Sequence, residues 1–276
     1  MRILLSIIAL AGLSLAAPPP PVLPPPSHRS SELIFGGHQA YQGQFPYFVY
    51  LYDIGCGGTL LTPKLVLTAA HCVDDSRIGG QVVMGIDNDK DYVNVTGVQI
   101  RKFASYIAHN EYNDTFKRND IAIVEVDEPF DLTEYAQLVN IKADDTKLQE
   151  RYWTTIVGFG PIDIVNRTLE YPDQLQYAYV PIVNHKYCES IWGMWGLWEK
   201  HICGGSAGVG TGQGDSGGPM SVRQDDKYYQ IGITSFGPAT INGLLNQDKY
   251  PSAFTRTASY CDWIHDNTNG AFSCIE

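Results

Sequence analysis

Gly212-Gln213-Gly214-Asp215-Ser216-Gly217-Gly218-Pro219 holds one serine between glycines, directly behind an acid. Gly, Asp, Ser and Pro are the commonest turn formers, so the composition fits a general-purpose turn. It fits a nucleophile equally well, because glycines let the backbone approach a substrate carbonyl and aim N–H groups at it. A hydroxyl is a poor nucleophile at neutral pH, so the second reading requires a base beside Ser216 and a third group to orient that base.

Of the 7 histidines, His71 has the most telling surroundings: Leu67-Thr68-Ala69-Ala70-His71-Cys72 runs from an apolar strand through small residues to a cysteine. A buried, cysteine-stapled turn would hold an imidazole firmly. Asn119-Asp120-Ile121-Ala122-Ile123 places a carboxylate immediately before an apolar strand, a suitable position for a desolvated acid that orients the imidazole.

Around these points the chain reads as short β-rich runs broken by turns: Tyr47 to Leu51, Lys64 to Thr68, Gln81 to Met84, Ile121 to Val126, Thr154 to Val157, Tyr177 to Val183 and Tyr228 to Ser235. Within Val93 to Ile100 the alternation shifts face at Gly97, as a β-bulge would make it do. Many short strands with glycine turns predict an all-β sandwich or barrel. Only the tail reads as helical, with Tyr260, Trp263 and Ile264 spaced to share one face. The polar, acidic stretch from Asp127 to Thr146 is the candidate crossover between two halves.

The chain has 276 residues, 44% hydrophobic and 18% charged, with a formal net charge of -11. No basic stripe exists to displace phosphate counterions, which argues against a nucleic-acid partner. Residues 1–16 read as an export signal: Met1-Arg2, an apolar run from Ile3 to Leu15, then small residues at the cut. That run is too short to span a membrane with margin, and no later stretch is long enough. Residues 17–33 are proline-rich, favour an extended polyproline conformation and cannot pack a core. The 6 cysteines fit an oxidising compartment, and their spacing alone leaves the connectivity open. Asn94, Asn113 and Asn166 each begin an Asn-X-Thr acceptor, in agreement with a secreted, extracellular protein.

Thr68-Ala69-Ala70-His71-Cys72, Asn119-Asp120-Ile121-Ala122 and Gly214-Asp215-Ser216-Gly217-Gly218-Pro219, in that order, resemble the motifs of the trypsin/chymotrypsin-type serine proteases. Ile34-Phe35-Gly36-Gly37 is similar to the mature amino terminus of that family, so the resemblance covers nearly the whole chain after residue 33. It implies two antiparallel six-stranded β-barrels packed together, with a C-terminal helix, in a protease domain spanning 34–276. It implies a zymogen in which 17–33 is the activation propeptide. His71, Asp120 and Ser216 would be the catalytic triad, the N–H groups of Gly214 and Ser216 the oxyanion hole, and Ser235 a support for the aspartate. Cleavage before Ile34 would free an ammonium that pairs with Asp215.

The resemblance also implies bridges Cys56–Cys72 and Cys188–Cys203, and leaves Cys261–Cys274 as a pair particular to this chain. A frequent family cysteine is absent at Gly212, as is its usual partner after Gly237, so the wall from Ala207 to Gln213 is expected to be loosely held. Gly210, Gly237 and Ser252 match the specificity pocket. None is acidic, so the expected guest is an apolar or aromatic side chain, not Lys or Arg.

Gly214-Asp215-Ser216-Gly217-Gly218 also satisfies the G-x-S-x-G elbow of α/β-hydrolases. That elbow needs a strand before the serine and a helix after it, and the flanking glycines and Pro219 fit neither. A catalytically silent secreted binding protein on the same scaffold is the alternative from another class, and the intact triad argues against it. Expected partners are protein or peptide substrates and protein protease inhibitors, with no membrane and a monomeric state. No cofactor or metal is expected; the acidic loop Asp87 to Asp91 reads as a solvated turn before it reads as a calcium site. His109 resembles a structural loop position and receives no chemistry. Trp192, Trp195 and Trp198 could line an apolar subsite or simply pack their loop.

Overall fold

The computed structural model describes residues 36–147, 152–224 and 227–276. The expected export signal, the propeptide and Ile34 lie outside the described residues.

The first barrel is built from six successive strands, β2 (Phe48–Leu51), β3 (Cys56–Thr62), β4 (Leu65–Thr68), β5 (Gln81–Met84), β6 (Gln99–Ala108) and β7 (Ala122–Val126). They close in the order β2-β3-β4-β7-β6-β5. A short strand, β1 (His38–Gln39), precedes them and pairs instead with the second barrel. After β7 the chain crosses over, and β8 (Asn140–Ile141) already lies alongside a second-barrel strand.

The second barrel closes through β9 (Trp153–Gly158), β12 (Gln176–Val183), β13 (His201–Gly204), β16 (Ser252–Arg256), β15 (Lys227–Phe236) and β14 (Pro219–Gln224), back to β9. The chain thus forms two closed, six-stranded antiparallel barrels. A hairpin, β10 (Asp163–Val165) with β11 (Thr168–Glu170), projects between β9 and β12.

Side-chain periodicity explains the closure. In β12, Ala178, Val180 and Ile182 are buried while Tyr177, Tyr179, Pro181 and Val183 are only half-buried, the two-residue alternation of a sheet with one face on a core. Leu51, Leu60, Leu67, Met84, Phe103 and Ile123 fill the first barrel. Ile156, Val180, Met220, Val222 and Phe254 fill the second. Each fully buried side chain of this size stabilises by roughly 1.5–3 kcal/mol, and neither barrel has an open sheet edge to protect.

Two expectations are corrected. Residues 93–98 form successive turns with Asn94 at φ 66° and Gly97 at φ 88°, and the strand begins only at Gln99. Gly97 therefore marks a turn, where a side chain would collide with the Tyr135 ring, and no β-bulge. The helices are also more than the tail. Beside α3 (Cys261–Asn267) there are α1 (His185–Trp192), capped by Asn184, and α2 (Ile241–Leu245), capped by Thr240. Tyr260 and Ile264 are buried in the first-barrel core with Trp263 packed against it, as their spacing predicts.

Candidate active site

The residues expected to form the triad lie along the seam between the barrels. His71 sits in a short 3₁₀ turn, Ala70–Cys72, immediately after β4. The Cys56–Cys72 disulfide ties that turn to the start of β3. Asp120 lies just before β7, fully buried. Its two oxygens take separate donors from one residue, the His71 backbone N–H at 2.9 Å and the imidazole Nδ1 at 2.8 Å.

The second barrel grips the same aspartate. Ser235 Oγ donates to Asp120 Oδ2 at 2.5 Å, and Thr255 Oγ1 donates to the Asp120 carbonyl at 2.9 Å. Ser235 can reach because the β15–β16 register slips between Thr234 and Phe236, leaving one extra residue that turns toward the other barrel. Burial by itself would push the Asp120 carboxyl up. The His71 charge and the His71 and Ser235 hydrogen bonds outweigh burial and hold it below the usual carboxylate range. An ionised Asp120 only accepts, so the ring proton belongs on Nδ1 and the lone pair of Nε2 is free to act as a base.

Ser216 is carried on a loop pinned across the seam. Its carbonyl accepts from Gly57 N–H at 2.7 Å, and Thr68 Oγ1 donates to the Gly57 carbonyl at 2.8 Å, so the serine loop is bonded to the strands that lead to His71. Gly217, at φ 75°, packs against the first barrel, and a side chain there would collide with Thr68 Oγ1 and the Gly57 carbonyl. No hydrogen bond joins the Ser216 hydroxyl to His71 among the described residues. Such bonds commonly tighten only when substrate is bound. Along the loop the Asp215 N–H donates to the Gly212 carbonyl at 3.1 Å, whereas the N–H groups of Gly214 and Ser216 on either side take no acceptor among the described residues.

Asp215 points the other way, into a cage. It is fully buried, and its oxygens accept from Gly160 N–H at 2.8 Å and Gly212 N–H at 2.9 Å. Gly158 and Gly160 leave room for the carboxylate that any side chain would take. Burial pushes its pKa from 3.8 to about 6 despite the two N–H donors, and no cation faces it among the described residues. Gly36, where the described residues begin, packs against Gly208 and Val209, upstream of Asp215 in the same segment.

A cavity of about 330 Å³ opens at Ser216, lined by Leu169, Thr211 to Gln213, Thr234 to Ala239 and Leu244. Gly237 lines it. A side chain on Gly237 would meet Ser252 Oγ at 2.9 Å, and Gly210 and Ser252 both lie against Gln247. The expectation of a loose wall is overturned, because α2 and the residues after it replace the missing disulfide. Gly208 N–H donates to the Leu245 carbonyl at 3.1 Å, Gln247 Nε2 donates to the Thr211 carbonyl at 2.9 Å, and Ala207 bridges to Asn246. The sequence reading missed Leu169, Leu244 and Gln247, while Thr211 falls within the wall from Ala207 to Gln213 that it named. Thr240 as a helix cap was the one available signal for α2, and nothing in the sequence placed Gln247 under the pocket.

Beside the cavity a second, apolar groove of about 670 Å³ is lined by Trp192, Trp195, Phe236 and Pro238 among others. Trp198 is elsewhere, stacked under Arg118 and Lys200. His109 stacks on Trp263 at 5.4 Å, a packing role. Asn88 Oδ1 accepts from the N–H groups of Lys90 and Asp91, which closes the acidic loop as a turn. Asn94, Asn113 and Asn166 are all exposed. Among the described residues the one grouping tight enough for a metal is Cys56, His71 and Cys72, and its two sulfurs are bonded to each other. Disulfides also join Cys188 to Cys203 and Cys261 to Cys274. No helix among the described residues is long and apolar enough to cross a membrane.

A family model described as Trypsin matches residues 34–264. The chain is 32% identical over 250 residues to chymotrypsin-C of Mus musculus, covering 86% of this chain and 89% of that protein. It is 33% identical over 240 residues to brachyurin of Leptuca pugilator, covering 85% and 98%. It is 29% identical over 273 residues to trypsin Tyr p 3.0101 of Tyrophagus putrescentiae, covering 96% and 90%.

Proposed function

The chain belongs to the trypsin family and is a serine endopeptidase, and on that premise we propose that His71, Asp120 and Ser216 are its catalytic triad. The observation that carries this reading is the His71 ring held by buried Asp120 at 2.8 Å, on the same side of the seam to which the Ser216 loop is bonded. His71 Nε2 takes the Ser216 proton as Oγ attacks the scissile carbonyl. Asp120 stabilises the resulting imidazolium without itself taking the proton. The oxygen of the tetrahedral intermediate receives the two free N–H groups of Gly214 and Ser216, a contribution of about 3 kcal/mol per donor in comparable sites. The imidazolium then protonates the leaving amine, and water repeats the sequence in reverse to release the acyl group.

The protein is made as a secreted zymogen. Residues 1–16 direct export, 17–33 are removed, and the new Ile34 ammonium pairs with Asp215. The uncompensated burial of that carboxylate, together with Gly36 lying against Gly208 and Val209, supports this latch. The three disulfides suit an oxidising compartment, and the exposed acceptors Asn94, Asn113 and Asn166 suit glycosylation. Substrates are proteins or peptides with an apolar residue before the cut, protein protease inhibitors are the expected regulators, and the enzyme is a monomer. The test is covalent labelling. A peptidyl phosphonate should modify Ser216 and abolish hydrolysis, and Ser216→Ala should lose several orders of magnitude in kcat. Undiminished hydrolysis by pure Ser216→Ala would sink the assignment.

A further inference from the structure

The apolar groove of about 670 Å³ has aromatic walls that the described chain leaves open. Trp192 and Phe236 meet edge to face at 6.1 Å, and Trp195 and Tyr250 line the same space. Trp195 is 68% exposed and its neighbour Met194 93%, a concentration of large apolar side chains that marks a binding surface. Three donors in the lining are unspent. Among the described residues the Trp195 indole N–H, the Tyr250 hydroxyl and the Asn242 amide nitrogen donate to nothing, whereas the Trp192 indole already donates to the Pro251 carbonyl at 2.7 Å. Aromatic faces beside free donors suit a polyproline helix, whose rings pack on flat surfaces and whose carbonyls have no internal partners.

The chain itself supplies such a segment. Pro18 to Pro21 and Pro24 to Pro26 flank Val22 and Leu23, and in polyproline geometry residues 18–26 span about 28 Å. The start of the described chain puts the groove within reach. Gly36 packs against Gly208, whose N–H donates to the carbonyl of Leu245 at the end of α2, while Thr240, Asn242 and Gly243 around the start of α2 line the groove. That helix rises only about 8 Å, and residues 27–35, fully extended, reach about 30 Å. No disulfide could do the same work, because Cys56 is the first cysteine in the sequence and is bonded to Cys72.

We propose that the groove is a polyproline-binding site and that its occupant is the segment Pro18 to Pro26 of this same chain. Resting on the reading of 17–33 as a propeptide and of Ser216 as the nucleophile, the docked segment covers the approach to the cavity, because Phe236, Gly237, Pro238 and Ala239 line both spaces. Before the cut it docks from within the chain, where a short tether gives an effective concentration on the order of millimolar. After the cut it is a dissociable inhibitor.

The test reads docking without catalysis. Two uncut Ser216→Ala proteins are compared, one with the natural segment and one with Pro18 to Pro21 and Pro24 to Pro26 replaced by alanine. Acrylamide quenching of tryptophan fluorescence reports the exposure of Trp195, with Trp195→Ala versions as blanks; that side chain is exposed, so its removal does not threaten the fold. The natural segment should lower the Trp195-dependent quenching by about twofold or more. A peptide of residues 17–29, which lacks Leu33 and so cannot occupy the cavity as a cleavage product, should bind the Ser216→Ala protein beginning at Ile34. On the active enzyme it should raise KM for a long peptide substrate by about threefold or more and leave kcat unchanged. Alanine in place of its prolines, or Trp195→Ala in the protein, should weaken binding by about tenfold, the scale of one lost apolar contact. Equal quenching of the two uncut proteins overturns the proposal, as does a peptide that fails to bind, binds as well without its prolines, or binds without raising KM. Protection that grows with protein concentration in both proteins assigns the groove to a second copy and overturns it too. Failure of Ser216 to react with the phosphonate strikes the catalytic reading instead, which the binding and quenching measurements do not use.

Discussion

Cleavage before Ile34 should stabilise the fold by an amount set by the burial of Asp215. In the uncleaved chain this carboxyl has a pKa of about 6 against an ordinary 3.8, because it is buried with two N–H donors and no countercharge among the described residues. At about 1.4 kcal/mol per pH unit, ionising it in the folded state costs about 3 kcal/mol. The sign follows from linkage: a raised pKa means the folded state holds its proton longer than the unfolded chain, so the cost is absent below pH 3.8 and fully present above about pH 6. An Ile34 ammonium seated against the carboxylate would offset most of that cost at neutral pH. The gap between the two forms would therefore open from about pH 4 to 6 and close again when the amine, whose reference pKa is about 7.7–8.0 and which pairing raises, finally deprotonates.

Thermal unfolding of two Ser216→Ala proteins, one full-length and one beginning at Ile34, measures this without self-digestion. At pH 7 the shorter protein should melt higher by about 6–12 °C, given roughly 2–4 °C per kcal/mol for a domain of this size. At pH 4 the two should nearly coincide. Parallel melting curves across the whole range would refute the reasoning, since they would show that the amine never meets the buried carboxylate.

Asp120→Asn should leave the fold intact but lower kcat by about 10⁴-fold, because a carboxamide can donate to Nδ1 and favour the wrong imidazole tautomer; steady-state kinetics with a circular dichroism control decides it. Ser235→Ala removes a donor from a carboxylate held below the usual range. A depressed pKa contributes stability that is present above pH 3.8 and lost as pH falls through the folded value, so the variant's acid unfolding limb, followed by tryptophan fluorescence, should move to higher pH. Gly217→Ala combines a residue at φ 75° with a collision against Thr68 and Gly57, so it should lose activity by a larger factor than it loses stability in urea titration. Replacing Cys56 and Cys72 together by serine opens a bridge between residues 16 apart and should cost about 3 kcal/mol of unfolding free energy, read from the same titration.

The sequence by itself determined the all-β architecture and, through the motifs that carry the family resemblance, the reaction class and the candidate reactive residues. Local signals suffice for these: the apolar run into Ala69-Ala70-His71-Cys72, the acid at the head of Ile121 to Val126 and the glycines around Ser216 are each legible within a few residues, and strand alternation is a period-two pattern. Their order along the chain supplied the rest. Tertiary structure alone decided how the seam is held and what backs the wall beside the pocket. Thr255 on the Asp120 carbonyl and the register slip that frees Ser235 depend on how β15 and β16 pair, a relation between distant segments that no local pattern encodes. Gln247 lies 37 positions after Gly210 in the chain, yet it is fully buried against that glycine. It gets there because α2 folds the loop back under the wall from Ala207 to Gln213, where backbone hydrogen bonds and a closed ring of side-chain partners compensate the burial of its amide.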